Sequence, residues 1–102
     1  MSSSGADAFV EVSPGAYRLQ APLTFASVVS LRASGLAVIR AATNGLTIDL
    51  SAVPAADSAG LALLVDWLAE AKSRSCQLKF DRASEALLAL ARLSDVEKLL
   101  AA

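Results

Sequence analysis

The run Asp57-Ser58-Ala59-Gly60 combines residue types that build a site at the start of a helix. A serine hydroxyl can accept from an orphan backbone N–H of the first turn, so Ser58 is the expected N-cap. A carboxylate at Asp57 suits the positive end of a helix dipole. Gly60 lets another backbone or a partner surface approach closely. Read alone, the run is a capped helix. Chemistry is harder to find elsewhere. The chain has no histidine, which removes the usual acid or base near neutral pH and any Ser-His-Asp arrangement. Asp49 and Asp57 read as a strand-end and a loop carboxylate. Cys76 is the single cysteine, so neither a disulfide framework nor a zinc cluster is expected, and its thiol reads as a small hydrophobe. The glycine patterns that cradle nucleotide phosphates are missing. We expect no enzymatic activity and no cofactor.

The elements that must position Asp57–Gly60 follow from patterning. Phe9–Val12 and Tyr17–Gln20 read as a hairpin around Pro14-Gly15. Thr24 is the expected N-cap of a helix in which Phe25, Val28, Val29, Arg32 and Leu36 recur at helical spacing. Gly35 is expected to kink or divide that helix, and Asn44-Gly45 to end it. Leu46–Leu50 is the clearest strand, being apolar and β-branched. Ser58 opens the best helix, running to about Arg74, with Leu61, Leu64, Val65, Leu68 and Ala71 on one stripe. Trp67 on that helix reads first as structural, with a binding hot spot the alternative. Gln77–Phe80 is a further strand. A helix from about Ser84 to Leu93 follows, and Ser94-Asp95-Val96-Glu97 fits a capping box opening a short one from Asp95 to Leu100. The order ββαβαβαα implies an α/β fold with a mixed sheet, parallel after the first hairpin. One sheet face is expected to stay partly uncovered. In such sheets, sites form at the carboxyl ends of the strands. Asp57–Gly60 falls there, with the loop around Pro22–Phe25 beside it.

Composition sets the limits. The 102 residues fit one domain, and an apolar content of 55% argues for a packed core. A net charge of −1 and scattered basic residues leave no footprint for nucleic acid or anionic lipid. No window reaches the roughly 20 apolar residues of a membrane span. The first residues carry no signal-peptide pattern, which makes a cytoplasmic location the expectation. Residues 1–8, rich in Ser and Gly, are expected to form a flexible segment ahead of a domain over 9–102.

Several stretches together resemble the STAS domains, named for sulfate transporters and anti-sigma factor antagonists. The strand Leu46-Thr47-Ile48-Asp49-Leu50-Ser51, then Val53, then Asp57-Ser58-Ala59-Gly60-Leu61-Ala62-Leu63-Leu64, resembles their core signature. Within the superfamily the chain is similar to the MlaB type. That likeness is carried by Leu23–Val28, Leu64-Val65-Asp66-Trp67-Leu68 and Leu90–Glu97, and it spans roughly Tyr17 to Leu100. Many STAS domains have a final strand that is not readable here after Leu100.

The resemblance implies a STAS fold with helices mainly on one sheet face. It also implies a non-catalytic cytoplasmic subunit, peripheral to the inner membrane. Such a subunit binds the ATPase of an ABC-type phospholipid transporter, and through it a membrane permease, maintaining outer-membrane lipid asymmetry. The contact is expected around the helix start, at Asp57, Ser58, Ala59, Gly60 and Leu61, with Thr24 from the neighbouring loop. In the anti-sigma antagonist branch the serine matching Ser58 is phosphorylated, so an antagonist regulated at Ser58 is the alternative. A STAS module sensing a lipid or nucleotide is a third reading, and few polar groups converge to support it.

Overall fold

A computed structural model of the chain describes residues 8–96, 98 and 100. The elements run β1 (Phe9–Ser13), β2 (Ala16–Leu19), α1 (Val28–Ala41), β3 (Gly45–Asp49), α2 (Ser58–Ser73), β4 (Gln77–Asp81) and α3 (Glu85–Leu93). The four strands form one sheet in the order β1-β2-β3-β4. β1 and β2 pair antiparallel, whereas β2–β3 and β3–β4 pair parallel. This is the expected mixed α/β sheet. Gly15 turns the hairpin at φ +79°, a conformation natural to glycine. Its carbonyl accepts the Thr47 N–H at 2.8 Å, which ties the turn to β3.

Strand alternation decides what each sheet face carries. Tyr17, Ile48 and Phe80 stand in register, as do Leu46 and Leu78. Of these, Leu46, Ile48 and Phe80 are buried, together with Leu19, against the helices. The other face carries Val10, Arg18, Asp49, Asp81 and Lys79. No helix covers it among the described residues, and alternation hydrophobic-in, polar-out is how a sheet tolerates that.

The core is a single cluster running from Leu19 and Leu31 through Ile39, Ile48 and Leu64 to Leu87 and Ala91. Trp67 is its largest fully buried side chain. The indole meets the Phe9 ring edge-on at 5.7 Å, and its N–H donates to the Arg32 carbonyl at 3.4 Å. Trp67 therefore has the structural role.

Several local expectations are revised. Thr24 does not cap a helix: α1 begins at Val28, and residues 24–27 form a turn closed by the Ser27 and Val28 N–H groups on the Thr24 carbonyl. Gly35 does not divide α1. It is buried inside a continuous helix, where a Cβ would collide with the Trp67 indole. Ser94 is the C-cap of α3, and Asp95 follows at φ +59°. The Asp95 and Val96 N–H groups return to the Arg92 and Ala91 carbonyls. That is a Schellman closure, with Ser94 ending a helix where a capping box was expected to open one. The expected short helix from Asp95 to Leu100 rests in part on Glu97 and Leu99, which lie outside the described residues, as do residues 1–7. Ala8, placed by expectation in the flexible segment, is buried and accepts the Gln20 N–H at 2.6 Å.

Candidate docking site

The helix start at Asp57 is built from two segments far apart in sequence. Leu23 and Ala56 form a parallel bridge beyond the strand ends. The Leu23 N–H donates to the Ala55 carbonyl at 2.8 Å, and the Asp57 N–H donates to the Leu23 carbonyl at 3.0 Å. Gly60 lies against that same carbonyl, and a Cβ at 60 would overlap it. Glycine is required here by close approach of backbone to backbone. The loop at 22–25 and the start of α2 are thereby joined into one surface.

Asp57 is the N-cap of α2, in extended conformation (φ −137°, ψ −172°), where Ser58 was expected. Its Oδ1 accepts the Gly60 N–H at 3.1 Å, and its Oδ2 accepts the Phe25 N–H at 3.0 Å. The Phe25 and Gly60 N–H groups, with a further contribution from that of Ala59, hold the Asp57 carboxyl below the ordinary 3.8 despite partial desolvation. Ser58 becomes the first residue of α2, exposed, and among the described residues its hydroxyl makes no hydrogen bond.

The expected site residues separate by depth. Ser58 faces solvent, Ala59 and Thr24 are half-buried, and Gly60 and Leu61 are buried. Thr24 works as a turn residue, and its N–H donates to Ser27 Oγ at 3.1 Å. Leu61 belongs to the core.

Two exposed apolar side chains are not marked as functional by the sequence patterns: Phe25, whose N–H lies on the Asp57 cap, is 79% exposed, and Val29 is 84% exposed. Single exposed hydrophobic residues need no explanation, but Val29, with Val28, Ala59, Ala62 and Leu63, lines a cleft of about 310 Å³ between α1 and α2. Arg32 and Asp66 form an ion pair across its far end. A second groove, bordered by Ser58, Leu61, Ala62, Val65 and Val96, runs along the other side of α2. Ser58, Ala62 and Asp66, four residues apart, form the ridge between them. The outcome is a mostly apolar, small-residue surface whose charged groups are already partnered.

A second polar cluster lies on the uncovered sheet face. Asp49 accepts the Ser51 N–H at 2.8 Å and pairs with Arg18 at 3.4 Å and Arg82 at 4.0 Å. Burial pushes its carboxyl up, but the Ser51 N–H and hydroxyl, Arg18 and Arg82 outweigh that and hold it below 3.8. This cluster is self-satisfied. Among the described residues no three of Cys, Asp and Glu come together as metal ligands, and no helix is long and apolar enough to cross a membrane.

The sheet order, helix placement and capped strand–loop–helix define an α/β domain of the STAS class. The structure of the anti-sigma factor antagonist SpoIIAA in its unphosphorylated form has the same fold, with a TM-score of 0.70 at 17% identity, over 90% of this chain and 83% of that one. The family model described as the MlaB STAS domain matches residues 10–101, and the chain belongs to that family. No curated protein matches.

Proposed function

We propose that the chain is a non-catalytic cytoplasmic subunit that docks onto the ATPase of an ABC-type phospholipid transporter, and through it onto the membrane permease. Such a transporter maintains the lipid asymmetry of the outer membrane. Membership of the MlaB family supports the partner class. The observation that carries the docking site is the exposure of Phe25, Val29 and Ser58 on two segments that Asp57 clasps together. Exposed aromatic side chains flanked by small residues suit a protein interface, where a few buried anchors supply most of the affinity. Gly60 and Leu61 support that surface from beneath, and Thr24 shapes its loop.

The test is affinity capture of the tagged chain from inner membranes dissolved in mild detergent. Recovery of an ABC-type ATPase with a permease supports the reading. Recovery of a soluble kinase-like anti-sigma factor in their place overturns it.

One observation favours the second reading, an anti-sigma factor antagonist controlled at Ser58. Because Asp57 takes the cap, the Ser58 hydroxyl is exposed and, among the described residues, uncommitted, as a phosphate acceptor must be. Phosphate there would suit the helix dipole but place two negative charges against a docked apolar surface.

A further inference from the structure

We propose that Asp57 is a positioning residue for docking, acting on the partner through Phe25. The proposal rests on the docking reading above and adds which side chain anchors it and which holds the anchor.

Phe25 lies outside α1, three residues before Val28, so no helical hydrogen bond holds its N–H. That N–H donates to Asp57 Oδ2 across 32 residues of chain. The other carboxylate oxygen is directed at Gly60, so both oxygens face the protein's own backbone. The carboxylate thus fixes the backbone from which the exposed Phe25 ring projects, against the start of α2. A fixed aromatic loses less conformational entropy on docking than a mobile one, and that difference appears as affinity.

A single substitution separates cap from clasp. Asp57→Ser retains one oxygen at the N-cap, where Ser and Asp are comparable, and that oxygen can serve Gly60. One hydroxyl cannot also reach Phe25. Amide hydrogen exchange then reports the clasp without any partner: in D57S the Phe25 amide loses protection and the Gly60 amide keeps it.

Affinity for the purified ATPase subunit of the phospholipid transporter from the same cell reports the consequence. We expect D57S to weaken binding about tenfold and F25A at least as much, with melting of D57S close to wild type. The double variant should bind no more weakly than F25A alone, because Asp57 has nothing left to position. Losses that multiply in the double variant would show Asp57 touching the partner directly and would overturn the proposal. So would unchanged binding by D57S once its Phe25 amide has been deprotected. Failure of the docking reading itself looks different: the wild-type chain would not bind the ATPase, or F25A, V29A and S58E would all bind as wild type does.

Discussion

Gly35 of α1 and Trp67 of α2 meet with no room between them for one more carbon. A Cβ at position 35 would fall within the indole, against Cε2, Cζ2 and Nε1. Replacing an interior helical glycine by alanine ordinarily gains about 1 kcal/mol. Here Gly35→Ala must push apart the two helices or turn the largest buried side chain. We expect a net loss of ~1–3 kcal/mol from overpacking, read as a lower melting temperature with altered Trp67 fluorescence. A variant that melts at or above wild type would show that the helices separate freely.

The cap assignment yields a contrast at two neighbouring residues. Ser58→Ala should leave the melting temperature essentially unchanged, because Asp57 serves the Gly60 N–H. Ser58→Glu places an acidic residue in the first turn and should also keep the fold, within ~0.5 kcal/mol. Its effect should fall on partner binding. Equal losses of stability and binding in S58E would make position 58 structural.

Ser75 offers a gain. It closes α2 in a left-handed conformation at φ +57°, with the Ser75 and Cys76 N–H groups returning to the Lys72 and Ala71 carbonyls. Glycine is the usual residue at that point of a Schellman closure. Ser75→Gly removes a steric penalty of roughly 1–2 kcal/mol against a smaller entropic cost. A rise in melting temperature is expected, and a fall would mean that the Ser75 side chain makes a stabilising contact.

Acid should unfold the chain through two identifiable carboxyls. Asp49 and Asp57 are both held below 3.8 in the folded state. Their ionised forms therefore favour folding above that value, and the contribution disappears as pH falls through the folded-state values. Denaturant melts between about pH 5 and 2 should show stability falling with acid, and Asp49→Asn with Asp57→Asn should flatten that slope. An unchanged slope in the double variant would assign acid sensitivity to other groups.

Elements are legible in the sequence where a pattern has one physical solution. β3, α2 and β4 were found within a residue or two, since a β-branched apolar run and a long apolar stripe admit little else. Positions are not legible where neighbours compete for one role. Asp57 and Ser58 are both good N-caps, and only the extended backbone of Asp57 decides between them. Phe25 falls in a helical stripe by spacing, because periodicity records spacing and not depth. Nothing local distinguishes an exposed Phe25 from a buried one. Its position depends on a carboxylate 32 residues away. Gly35 read as a breaker for a similar reason, since the Trp67 ring that requires it belongs to another helix.

The backbone crossing at Leu23 and Gly60 has a consequence for assembly. No short stretch of the chain holds the proposed docking surface. Its halves come from either side of β3 and are joined by the Leu23–Ala56 bridge, so the loop-closure entropy of the intervening chain must be paid for the surface to exist. A peptide covering 55–64 would lack it, and so would a nascent or misfolded chain. A partner that docks there as proposed would recognise completed tertiary structure, so its binding would also proofread the fold of the chain.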